Sequence, residues 1–137
     1  MPRLQRVLEI AVYCDDLARS IDFYARVLGG RLLDRSDRFA AFDVGGSTVL
    51  LVFVRGQSAA GVELPAGRIP PHDGAGPLHF AFAVSADELA GWEQHLADAG
   101  VNVESRVTWP RGGTSLYFRD PDGHLVELAT PGLWATY

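Results

Sequence analysis

The chain has one cysteine, Cys14, so no intrachain disulfide can hold it together, and a single thiol fits a reducing compartment. It has no basic surplus: a net charge of −5 and a pI near 5.2 argue against a nucleic-acid backbone as partner. It has no apolar run that approaches the roughly 20 residues needed to span a bilayer. Its first six residues, Met-Pro-Arg-Leu-Gln-Arg, lack the apolar stretch of a secretory signal. These absences predict a cytoplasmic protein with neither nucleic acid nor membrane as partner. What is present suits one domain. A length of 137 residues, 47% of them hydrophobic and 21% charged, supports a core that needs no staples.

The order of structural signals is written twice. Residues 7–14 read as an apolar strand. Asp15 or Asp16 then serves as a helix N-cap, Leu17, Ile21, Tyr24 and Leu28 follow at helical spacing, and Gly29-Gly30 closes the helix. Strands are expected over 31–34, 39–44 and 48–54, with Gly45-Gly46 as the hairpin between the last two. The second half repeats this with a strand over 78–84 and a helix over 85–99 capped by Ser85 or Asp87. Leu89, Trp92 and Leu96 share one face of that helix, and Gly100 ends it. Strands over 101–106, 114–119 and 125–129 complete the repeat. Glu9 and His79 lie 70 residues apart, as do Gly30 and Gly100, and the hairpin glycines Gly46 and Gly123 lie 77 apart. An internal duplication of a βαβββ unit accounts for this. Module 1 covers about 5–55 and module 2 about 78–130. Residues 55–77, rich in Gly, Pro and Ala, read as a long linker loop. The expected fold class is α+β: two tandem modules forming a cupped mixed sheet around a central cavity, helices outside.

Three polar residues interrupt apolar strands: Glu9 between Leu8 and Ile10, His79 between Leu78 and Phe80, and Glu127 between Val126 and Leu128. A lone carboxylate in an apolar strand is expensive to bury unless a positive group meets it. Glu9 and His79 hold matching positions in the two modules, and the hairpin offset makes Leu50 the counterpart of Glu127. Two carboxylates and one imidazole suit a divalent ion (Mn, Fe, Ni, Zn or Mg) with positions left open for water or substrate. A strand histidine is also a common hydrogen-bonded core residue, and Glu9 can simply point at water; it is their symmetric placement that favours a metal. Tyr117, across the last hairpin from Glu127, is a candidate acid/base beside Glu127 itself. Ser115, Arg106, Arg111 and Trp109 are candidate substrate contacts, the last two on the loop 109–113, whose glycines can alternatively serve only a turn. His72 lies in the linker within reach of a pocket. His95 reads as a surface or helix-packing residue and His124 as solvated. Phe39, Phe42, Phe53, Phe80 and Phe82 read as core.

The segments 16–24 (Asp-Leu-Ala-Arg-Ser-Ile-Asp-Phe-Tyr), 27–29 (Val-Leu-Gly), His79, and 117–124 (Tyr-Phe-Arg-Asp-Pro-Asp-Gly-His) through Glu127 resemble the vicinal oxygen chelate superfamily. That superfamily includes glyoxalase I, bleomycin-resistance proteins, fosfomycin-modifying thioltransferases and extradiol dioxygenases. The resemblance covers nearly the whole chain. It implies a homodimer, a small-molecule substrate chelated through two oxygens, and metal ligands at Glu9, His79 and Glu127, either Glu alternatively serving as a displaceable base. Glu9 stands where most metal-dependent members have His. Leu50 replaces the additional acid of glyoxalase I, and Tyr13 stands where bacterial forms have an arginine. The fosfomycin enzymes share Ser115 and Tyr117, but their phosphonate-binding positions fall on Ala11, Val107 and Thr136, with both cations gone. Extradiol enzymes share His79, Tyr117 and Glu127 but not a Glu as first ligand. The reading is therefore a metal-dependent enzyme of lyase, isomerase or dioxygenase type. The alternative is a metal-free binding protein of the bleomycin-resistance type, with Trp109 and Trp134 about an acidic cavity.

Overall fold

The computed structural model describes residues 1–137. The first apolar run forms β1 (Glu9–Cys14), shorter at its start than the pattern suggests. Asp16 is the N-cap of α1 (Leu17–Asp22), its Oδ1 accepting from the Arg19 N–H at 3.1 Å. The helix runs on through a π-helical turn over Phe23–Val27 and stops at Gly29, whose φ of 70° only glycine adopts readily. Then come β2 (Arg31–Arg35), β3 (Phe39–Asp43) and β4 (Val49–Val54). The sheet order is β1-β4-β3-β2, with β1 parallel to β4 and the other pairs antiparallel.

The linker is not a loop throughout. It contains a hairpin of β5 (Val62–Leu64) and β6 (Gly67–Ile69), joined across by a Glu63–Arg68 ion pair. Pro65, which reads as a loop signal, forms its turn with Ala66, and Gly67 opens β6. The segment is tied down: Gly56 N–H donates to Asp73, Arg55 Nε to the Gly74 carbonyl and His72 N–H to the Ser58 carbonyl.

The second module repeats the first. β7 (His79–Ala83) leads into α2 (Leu89–Asp98) through one 3₁₀ turn over Ala86–Glu88, where the Ser85 hydroxyl donates to Glu88 instead of capping the backbone. Leu89 and Leu96 are buried, and Gly100 (φ 73°) ends the helix. The strand expected over 101–106 starts later and runs further, as β8 (Ser105–Thr108), which pairs with β9 (Thr114–Arg119). β10 (Leu125–Ala129) follows. The order β7-β10-β9-β8, with β10 parallel to β7, matches the first sheet.

The architecture is α+β, two βαβββ modules each with a four-stranded mixed sheet, in two compact units, Met1–Ala75 and Gly76–Tyr137. One face of each sheet carries the unit's core: Val12, Phe42, Leu50 and Val52 in the first, Leu116, Phe118, Val126 and Leu128 in the second. The opposite faces carry Glu9 in the first unit and His79, Ser115, Tyr117 and Glu127 in the second. Phe53 and Phe39, expected in the core, belong to that opposite face of the first unit, because they pair with each other and with Tyr13 in register. No helix is long and apolar enough to cross a membrane.

Candidate functional site

In the second unit, His79 begins β7 opposite Leu125 on β10, and Glu127 lies two residues further along the same face. Tyr117 is the direct cross-strand partner of Glu127, and Ser115 stands two residues before it on that face. Glu127 is only 4% exposed, so its carboxylate is nearly cut off from water. Its Oε1 accepts from the Ser115 hydroxyl, which in turn accepts from the Trp109 indole N–H at 2.8 Å. Its Oε2 lies 3.3 Å from His79 Nε2.

The imidazole is oriented from its other side. His79 Nδ1 is 2.9 Å from the Leu125 carbonyl, which can only accept, so Nδ1 carries the proton. In the neutral imidazole, Nε2 then presents a lone pair to a carboxylate oxygen. Two acceptors face to face repel unless a cation, a proton or a metal ion, lies between them. The donor set of one imidazole nitrogen and one carboxylate oxygen, each held by a second hydrogen bond, fits two ligands of a divalent ion. No three His, Cys, Asp or Glu side chains gather closely enough within the chain to hold an ion by themselves.

The Tyr117 ring lies 6.1 Å from the His79 ring. Burial raises its phenol above the ordinary value, the Ser115 hydroxyl acts against that rise, and the Glu127 carboxylate adds to it. The phenol therefore stays protonated at neutral pH and is a hydrogen-bond or proton donor beside the carboxylate.

The other candidates are placed differently. Glu9 stands in the first unit, exposed at the start of β1. It lines a cavity of about 510 Å³ there with Tyr13, Arg38, Phe39, Phe53 and His72. His72 Nδ1 is 2.9 Å from the Tyr13 hydroxyl, and its ring stands edge-on to Phe53 at 4.6 Å. Arg106 does not face the site: it pairs with Leu116 on the core side of the sheet and forms an ion pair with Glu93 of α2 at 3.1 Å. Arg111 is exposed at the tip of the 109–113 turn. His124 is not solvated. It is 1% exposed, its Nδ1 accepting from the Leu78 N–H at 3.1 Å. Tyr13 and Arg38 went unmarked as pocket residues in the sequence, because neither interrupts an apolar strand.

The register also corrects the counterpart of Glu127. His79 pairs with Leu125 and Glu9 with Val49, so the residue two beyond Val49, Leu51, corresponds to Glu127. Leu50 is fully buried on the core side. An offset of one residue moves a side chain to the other face.

Similarity to known proteins agrees with this architecture. The chain is 32% identical over 128 residues to the metallothiol transferase FosB of Staphylococcus saprophyticus, covering 93% of this chain and 78% of that protein. It is 29% identical to the glutathione transferase FosA of Serratia marcescens, covering 96% and 85%. The crystal structure of a lactoylglutathione lyase from Agrobacterium tumefaciens superposes with a TM-score of 0.88 at 29% identity, covering 98% and 99%. The family model described as the Glyoxalase/Bleomycin resistance protein/Dioxygenase superfamily matches residues 6–128. With the duplicated βαβββ topology, that match makes the chain a member of the glyoxalase/bleomycin resistance protein/dioxygenase superfamily.

Proposed function

We propose that this protein is a metal-dependent enzyme of the vicinal oxygen chelate type, acting on a small oxygen-bearing molecule, with His79, Glu127 and Glu9 as ligands of a divalent ion. The observation that carries the reading is the His79–Glu127 pair, Nε2 set 3.3 Å from a carboxylate oxygen by bonds that hold both groups from behind. Glu9 is added because it holds in the first unit the register place of His79 in the second, with its carboxylate exposed. The name of one relative, a metallothiol transferase, supports metal-assisted chemistry at such a site.

A bound divalent ion would supply Lewis acidity to substrate oxygens. The chain's own residues do the rest. Leu125 sets the tautomer of His79, and Ser115, steadied by Trp109, fixes the carboxylate of Glu127. Tyr117, kept protonated chiefly by burial, donates to a substrate oxygen or returns a proton there. Arg111, exposed and without an ion pair, is the remaining cation on the unit's turn for a substrate carboxylate. A homodimer is part of the proposal, and its mass in solution tests it.

Metal titration of chelator-treated protein tests the ligand set. Glu9→Gln and His79→Ala should each weaken Mn, Ni or Zn binding by more than about tenfold, roughly 1.4 kcal/mol. Unchanged affinity in both variants would remove these residues from the ligand set. The aromatic wall of the first unit's cavity favours one second reading, metal-free sequestration of a small molecule. Ligand binding that persists undiminished in chelator, with no metal taken up by the wild-type protein, selects it.

A further inference from the structure

All twelve basic side chains of this chain are arginines. Six of them form ion pairs: Arg26, Arg31, Arg55, Arg68, Arg106 and Arg119. Of the rest, only Arg38 is half-buried, and it lines the cavity of the first unit. Its guanidinium carbon lies 5.5 Å from the centre of the Phe39 ring and 5.6 Å from that of Phe53, so aromatic surface flanks the cation. Its Nη1 donates at 3.0 Å to the hydroxyl of Ser58, which is 1% exposed. The Ser58 carbonyl accepts from the His72 N–H, so the same residue anchors both the cation and the segment that brings His72 to the cavity. The Nε–Nη2 edge of Arg38 has no protein acceptor. A guanidinium edge is a planar fork that matches an oxyanion bidentately.

We propose that this cavity recognises the oxyanion of a small organic acid, with the free edge of Arg38 taking the carboxylate or phosphonate and Phe39 and Phe53 meeting its apolar body. This rests on the enzyme reading above and supplies its substrate class, since Glu9 lines the same cavity. The cavity volume lies within the usual range for small-molecule sites, about 300–1,000 Å³. Because Ser58 holds the guanidinium in place before any ligand arrives, little side-chain freedom is left to lose on binding.

Calorimetry on chelator-treated protein tests this apart from metal binding, with benzoate, phenylphosphonate and the neutral benzamide as probes. An oxyanion probe should bind at least about tenfold more tightly than benzamide, and Arg38→Gln should abolish that preference while leaving benzamide binding unchanged. The tighter of the two oxyanions identifies the group recognised. Arg38→Gln keeps a donor for Ser58 and so guards the fold, and an unchanged melting temperature checks it. Arg38→Lys, which retains charge without the fork, serves as a second variant and should keep only part of the preference. Equal binding of all three probes, or a preference that survives in Arg38→Gln, overturns the proposal. Because the metal is absent throughout, such a failure leaves the His79–Glu127 reading untouched, and a failed metal titration leaves this one untouched.

Discussion

At the scale of the residue, Glu127 is a buried carboxylate whose two oxygens have different company. Oε1 takes the Ser115 hydroxyl, and Oε2 faces His79 Nε2. Ser115→Ala removes the acceptor of the Trp109 indole and the donor to Oε1 together. Metal affinity should then fall about 10–100-fold, the usual effect of losing a group that orients a ligand. Manganese titration reads this, and unchanged affinity would mean Ser115 does not orient the ligand. The register makes a second prediction. Leu50→Glu places an unpaired charge in a fully buried position and should destabilise by about 4 kcal/mol or more. Leu51→Glu faces the cavity side and should stay folded, as urea unfolding of both variants will show. Glu127 and His79 were visible in the sequence because each breaks an apolar run. Arg38 was not, because it sits between strands, where an arginine looks solvated until Ser58 and two phenylalanines close on it.

At the scale of the element, the turn between β9 and β10 works as a lock on the site. Asp120 is 6% exposed, and its Oδ1 accepts from the N–H groups of Asp122 at 3.0 Å and His124 at 2.8 Å. His124 then accepts from the Leu78 N–H, which ties the turn to the residue before β7. The turn therefore sets where β10 begins and so where Glu127 stands against His79. Asp120→Ala strands two N–H groups and should cost about 1–3 kcal/mol in urea unfolding. The Asp-Pro-Asp-Gly pattern announced a turn. Its role in joining β7 to β10 was not legible, because His124 and Leu78 are 46 positions apart in the chain and meet only on folding. Gly132 shows the same limit. A Cβ there would lie 2.5 Å from the Gly113 nitrogen, with φ at 105°, so Gly132→Ala should lower the melting temperature. Nothing local in Pro131-Gly132-Leu133 announces that close approach.

At the scale of the whole molecule, stability depends on pH through groups scattered over both units. The carboxyls of Asp43 and Asp73 lie below the ordinary 3.8, chiefly because backbone N–H groups donate to them. Asp22 is lowered mainly by its hydrogen bond from Arg26. Their contribution is present above the ordinary value and is lost as pH falls through the depressed folded values. Burial raises Tyr13, Tyr117 and Tyr137 above the ordinary 10.0. Their contribution is present below that value and is lost as pH rises through the raised ones. Urea midpoints should therefore form a plateau that falls on the acid and alkaline sides. Tyr13→Phe should soften the alkaline fall; an identical alkaline fall in that variant would assign the loss to other groups.

Legible in the sequence alone were the duplicated βαβββ order, the Asp16 cap of the first helix, the hairpin turns and the family. These depend on short-range spacing, where a side chain's role is set by neighbours three or four residues away in a helix and two away in a strand. Only the tertiary structure decided which face each residue serves. Strand register made Leu51, not Leu50, the counterpart of Glu127 and turned Arg106 toward Glu93. It also folded the linker into a hairpin and brought His72, Tyr13 and Arg38 to one cavity. Register is a property of pairing between distant segments, and a shift of one residue reverses a side chain's face without changing the local pattern.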